Sequence, residues 1–315
     1  MDTFSKEDYN RFSHINVYIF CGGIKMKHIG YYNGDIGPLE EMRVPMLDRA
    51  VFFGDSCYEM VNFRNKRAFG LHDHLNRFYN SLKFLKINFD MSLETLAGEI
   101  QKLIDMNECD CGTVYWQGSR GTAMRYFTYD SENIRGNLLM YTSPNYLEPQ
   151  EHVYSLKSHE DTRFLHCNIK TTNLIPAVMY SQSSLDEGCQ ESILHRGERV
   201  TECGHSNVVM LKDGVLCAPP KDNLILPGVT MSNLLMLAEK NDVPVRIAPF
   251  TMDELKNADE IIITSTGVPC IRALSLDGEE IGGRAPGLLD KLQKAYMDFF
   301  ISETDRTPVL DEMHY

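Results

Sequence analysis

Short apolar runs broken by turn residues mix along this chain with longer stretches whose apolar positions recur every three or four residues. Ile29-Gly-Tyr-Tyr-Asn33-Gly34-Asp35 sets an Asn-Gly pair between strand-like flanks, the signal of a hairpin. Residues 57–63 are mostly apolar and strand-like, and Arg64-Asn65-Lys66 reads as the next turn. The period then changes. Leu71, Leu75, Phe78, Leu82 and Leu85 fall on one face of a helix, and residues 93–106 repeat that spacing. Residues 114–129 and 138–141 return to strand character, and residues 143–149 collect Pro and polar side chains as a linker would. Further on, an apolar-leaning strand over 165–169 leads into Lys170, and 174–186 reads as helix. Strands follow at 191–194, 207–211 and 215–218, the last two joined through Asp213-Gly214. A helix over 230–241, a strand over 260–264 and a helix over 288–301 complete the pattern.

Strands and helices mix without regular alternation, which predicts an α+β (mixed α/β) fold in two domains. The expected division is an N-terminal extension over 1–26, a smaller domain over 27–146 and a larger one over 147–315. No apolar run reaches the roughly 20 residues that would cross a bilayer. The N-terminus lacks the pattern of a signal peptide, so a cytoplasmic location is expected. A net charge of -13 argues against nucleic acid as a partner. The nine cysteines are odd in number and carry no zinc spacing beyond the close pair Cys109 and Cys111, so free thiols and no metal site are expected.

Several polar groups have chemistry to offer. A lysine at a strand end, such as Lys170, is most often a surface charge, but its amine is also a nucleophile suited to a Schiff base. Glu202 reads as a turn carboxylate between two strands; in a site it would hold a protonated pyridine nitrogen. Leu226-Pro-Gly-Val229-Thr230 precedes a helix, where backbone N–H groups and a hydroxyl form an anion site. Thr264-Ser265-Thr266-Gly267 is a second hydroxyl-glycine turn, and Arg77 offers a charge-assisted bond to phosphate. Each is weak alone.

In this order they are specific. Leu47-Asp-Arg49, Phe53-Gly-Asp55, Tyr58-Glu59, His72-Asp-His-Leu-Asn-Arg77, Ile169-Lys170, Val200-Thr-Glu202, Ser206-Asn207, Lys212-Asp-Gly214, Leu226-Pro-Gly-Val-Thr230 and Thr264-Ser-Thr266 resemble the fold-type IV, or class IV, pyridoxal-phosphate (PLP) aminotransferases. The likeness runs from about Tyr31 to about Leu292, and within the family it points to the D-amino-acid aminotransferases. It implies a small N-terminal α/β domain and a larger C-terminal domain with a β-barrel-like core. It further implies a homodimer whose active sites borrow residues from the neighbouring subunit, with amino acids and 2-oxo acids as substrates. By the same resemblance Lys170 carries the cofactor and moves the proton, and Glu202 pairs with the ring nitrogen. Leu226 packs on the ring, while Arg77, Val229, Thr230, Ser265 and Thr266 surround the phosphate.

For substrate handedness, Tyr58 in Cys57-Tyr-Glu-Met-Val61 matches the D-specific pattern, and the Gly and Arg of the branched-chain pattern are missing. Arg125 aligns with the arginine that traps the substrate carboxylate, whereas Phe127 stands where that pattern has histidine. The alternatives are a branched-chain L-amino-acid aminotransferase and an aminodeoxychorismate lyase of the same fold. His205 also departs from the pattern, either tuning the cofactor or filling space.

Overall fold

A computed structural model describes residues 28–144 and 147–305; the expected extension over 1–26 lies outside the described residues. Six strands form an antiparallel sheet: β1 (Ile29–Tyr32), β2 (Asp35–Pro38), β3 (Ser56–Arg64), β4 (Arg67–Ala68), β5 (Cys111–Ser119) and β6 (Asn137–Ser143). Their order is β2-β1-β6-β5-β3-β4. The β1–β2 turn places Asn33 at φ 48 and Gly34 at φ 104, the left-handed pair a two-residue hairpin loop demands. Helices Leu71–Leu85 and Leu93–Met106 have the bounds the apolar spacing predicts. They bury Leu75, Phe78, Leu82, Leu96, Ile100 and Leu103 in one cluster with Trp116, Val61 and Met140 of the sheet. Each such side chain contributes about 1.5–3 kcal/mol on removal from water.

The second sheet contains β7 (Val153–Glu160), β8 (Glu191–Arg196), β9 (Arg199–Cys203), β10 (Asn207–Lys212), β11 (Val215–Ala218), β12 (Val245–Ile247), β13 (Glu260–Thr264), β14 (Ile271–Leu276) and β15 (Glu279–Glu280). The order is β12-β11-β10-β13-β14-β7-β8-β9, with β15 on β14. β9 and β10 are therefore five steps apart in the sheet, which is about 24 Å if the sheet were flat. Three residues, Gly204 to Ser206, join them, and four Cα steps reach at most about 15 Å. The sheet must curl back on itself, and the turn that closes it carries His205.

Two expectations change. The strand read over 114–129 ends at Ser119, and 120–136 follows as loop with one isolated bridge, Asp48 to Thr122. No strand forms over 165–169: the backbone there turns on itself, Ile169 N–H donating to the carbonyl of His166. Lys170 is instead clamped beside β3. Tyr58 N–H donates to its carbonyl at 2.9 Å, and Cys57 and Thr171 form an isolated bridge. Among the described residues no helix is long and apolar enough to cross a membrane.

Candidate active site

Where the two sheets meet lies a cavity of about 280 Å3. Nine of the predicted site residues line it: Tyr58, Arg77, Lys170, Glu202, Leu226, Val229, Thr230, Ser265 and Thr266. They come from both sheets, from helix Leu71–Leu85, from the Lys170 segment, from the start of helix Val229–Lys240 and from the turns that carry Leu226 and Ser265–Thr266. Arg125 and Phe127 are not among them. Both are exposed, on the loop after β5, with the Arg125 guanidinium 5.2 Å from the Phe53 ring centre.

Half-buried Lys170 points its Nζ over the Tyr58 ring, 4.4 Å from the centroid. Glu202 lies within β9, not in a turn, and is buried. Its Oε1 accepts from Arg163 at 2.6 Å, and its Oε2 accepts from the Asn207 side chain at 3.0 Å and from Leu226 N–H at 2.9 Å. Burial nonetheless pushes its carboxyl up to about 7, helped by the like charge of Asp161 and opposed by Arg163. Arg163 cannot neutralise it fully because Asp161 holds the same guanidinium through Nε at 2.9 Å and Nη2 at 3.0 Å. The result is a buried carboxylate short of cationic partners, which suits a ring nitrogen that takes up a proton.

At the other end of the set, Arg77 donates Nε and Nη2 to Glu59 at 2.6 and 2.9 Å and Nη1 to the Pro227 carbonyl at 2.9 Å. Complete burial would raise Glu59, but Arg77 and His74 outweigh it and hold the carboxyl down at about 2. A guanidinium has five N–H groups, so Arg77 keeps two for another acceptor. Helix Val229–Lys240 begins at Gly228 without a side-chain cap. Its first N–H groups therefore have no partner within the helix. Gly228 is required there, since a Cβ would come within 1.9 Å of Asn207 Oδ1. The hydroxyl of Thr264, buried and unpartnered, also lines the cavity.

These observations match a phosphorylated pyridine aldehyde: an amine for the aldehyde, a buried carboxylate for the ring nitrogen, an arginine and an uncapped helix for the phosphate. Residues 56–276 match the model of the family described as amino-transferase class IV. The chain belongs to the class IV aminotransferases. It is a PLP-dependent transaminase whose substrates are amino acids and 2-oxo acids. It is 36% identical over 279 residues to the D-alanine aminotransferase of Bacillus licheniformis, a match covering 88% of this chain and 98% of that one. To the D-alanine aminotransferase of Staphylococcus aureus (strain N315) it is 33% identical over 278 residues, covering 87% and 98%. The branched-chain amino acid aminotransferase from Escherichia coli shares the fold, with a TM-score of 0.80 at 20% identity over 92% of this chain and 98% of that one.

Sequence reasoning had assigned no role to Arg163, Asp161 and Asn207, which orient Glu202, or to Glu59 and His74, which orient Arg77. The only signal was the grouping of these types near the motif residues; the two ion pairs Arg77–Glu59 and Arg163–Glu202 join positions 18 and 39 apart along the chain.

Proposed function

We propose that this class IV aminotransferase transfers the amino group of a D-amino acid to a 2-oxo acid, with Lys170 as the catalytic amine. The observation that carries this reading is the convergence of Tyr58, Arg77, Lys170, Glu202 and the Val229–Thr230 helix start on one cavity. PLP, when bound, supplies an electron sink for the substrate α-carbon. Lys170 Nζ would hold the aldehyde carbon and, as the free amine, would move the proton at the substrate Cα. Glu202, positioned by Arg163 and Asn207, would hydrogen-bond the ring nitrogen, and Leu226 would pack on the ring. Arg77, the Val229 and Thr230 N–H groups and the Thr230, Ser265 and Thr266 hydroxyls would bind the phosphate. Tyr58 orients the substrate beside Lys170. The names of the relatives and the Tyr58 match support D-handedness.

The same reading includes a homodimer. Met124, Tyr126 and Phe127 are exposed on one loop, and Ile175, Val178 and Met179 on one helix face, apolar surface that association would cover. Arg125 and Phe127, which do not line their own chain's cavity, would complete the substrate site of the neighbouring subunit. Domains over 27–146 and 147–315 and a cytoplasmic location, where buried free thiols such as Cys57 and Cys270 stay reduced, belong to this proposal.

Spectral titration tests it. D-Alanine is expected to abolish the visible absorption of the purified holoenzyme and 2-oxoglutarate to restore it, with Lys170→Ala inert. A response to L-leucine and none to D-alanine would move the assignment to the branched-chain activity. Pyruvate release from aminodeoxychorismate without an acceptor would move it to the lyase.

A further inference from the structure

The cations lining the cavity are unequally committed. Arg77 is held by Glu59, and Arg163 is shared between Asp161 and Glu202. Lys170 is reserved for the cofactor. His205 remains. It sits on the turn between β9 and β10 and lines the cavity, and its side chain is 58% exposed. Its Nδ1 lies 3.1 Å from Oε2 of Glu191. Among the described residues no hydrogen bond engages its Nε2.

Glu191 is built to orient that ring. Fully buried, it accepts from the N–H of Ser192 at 2.7 Å, from the N–H of Gly204 at 3.2 Å and from the Ser206 hydroxyl. Its charge also raises the proton affinity of His205, together with Glu148 and against partial desolvation of the ring and the charge of Lys170. With Nδ1 turned to Glu191, the imidazole in its protonated form presents an outward N–H from a cation-favouring seat. A carboxylate entering a partly desolvated cavity needs such a donor. The α-carboxylate is already allotted, to Tyr58 and the neighbouring subunit's loop. A second carboxylate is not.

We propose that His205, oriented by Glu191, is a specificity-determining residue that binds the distal carboxylate of dicarboxylic substrates, acidic amino acids of four or five carbons and their 2-oxo acids. The inference rests on the transaminase reading above. It explains why an imidazole occupies a turn where small residues would suffice to close the sheet.

The test uses the holoenzyme and His205→Gln, which keeps a neutral polar side chain, with His205→Lys as charge rescue. Calorimetry with glutarate, a dicarboxylate that lacks the amino and oxo groups, is expected to show binding about tenfold or more weaker in His205→Gln. Butyrate, with one carboxylate, should lose far less, and His205→Lys should recover glutarate binding. In turnover, the ratio of kcat/KM for D-glutamate to that for D-alanine should fall by about the same factor, through KM rather than kcat. Equal losses for both amino acids, or unchanged glutarate binding, would overturn the proposal. Wild-type glutarate binding that depends on His205 without any D-amino-acid turnover would spare it and sink the D-specific reading instead.

Discussion

Two buried glutamates in this protein respond to pH with opposite sign. Glu59 is held at about 2 in the folded chain against an ordinary 4.5, so its stabilisation is complete above pH 4.5 and is lost as pH falls towards 2. Glu202 stands at about 7, above the same ordinary value, so unfolding releases its proton between the two values. Its stabilisation is present below pH 4.5 and is lost as pH rises through 7. In the cofactor-free protein, the stability advantage of wild type over Glu202→Gln should therefore shrink by roughly 3 kcal/mol between pH 4.5 and 7.5. Urea denaturation across that range measures it; a constant difference would contradict the assigned environment. Glu59→Gln should instead cost about 3–5 kcal/mol throughout that range, because it strands the buried Arg77 charge. PLP affinity, read by fluorescence quenching, should weaken with it, since Arg77 loses the partner that aims it.

Among the elements, the start of helix Val229–Lys240 is the most exacting. A Cβ on Gly228 would collide with Asn207, and Asn207 also holds Glu202 and the Leu226 carbonyl. Gly228→Ala should displace both ends of the cofactor grip at once. PLP release is expected to rise at least tenfold with little change in far-UV circular dichroism. Periodicity made such elements legible where one face is apolar: helices Leu71–Leu85 and Leu93–Met106 could be bounded from leucine spacing alone. It failed where strands are buried on both faces or end in polar residues. β14, read as no element, pairs with β13 and β7 inside the core, and β7 runs Val153 to Glu160 with mixed polarity. It also overran at Ser119, where Arg120 leaves the sheet to pair with Asp55 and the chain becomes loop. Most cofactor residues were legible because they stand next to a turn or helix start with its own motif, and Arg77, midway along helix Leu71–Leu85, through the motif His72-Asp-His-Leu-Asn-Arg77. Their supports were not, because an ion pair such as Arg163–Glu202 leaves no periodic trace.

For the whole molecule, the cavity depends on the meeting of two sheets and, in the dimer reading, of two chains. Val178→Asp combined with Met179→Asp on the exposed helix face should convert a dimer to monomers in sedimentation. Activity should be lost with it, while each monomer keeps its fold. An unchanged sedimentation coefficient would place the subunit contact elsewhere.

The strand order of the curled sheet bears on how the protein is made. β7 reaches the sheet only by lying parallel to β14, whose paired residues follow it by about 120 positions. At about 5–20 residues per second, a ribosome needs roughly 6–24 s to travel that distance. In the later part of that interval β7, β8 and β9 have all been synthesised but lack the strand that seats them. The Lys170 segment, emerging early in it, has no completed pocket to enter. The nascent larger domain therefore passes through a stage with uncovered strand edges, and binding of PLP belongs to the finished chain.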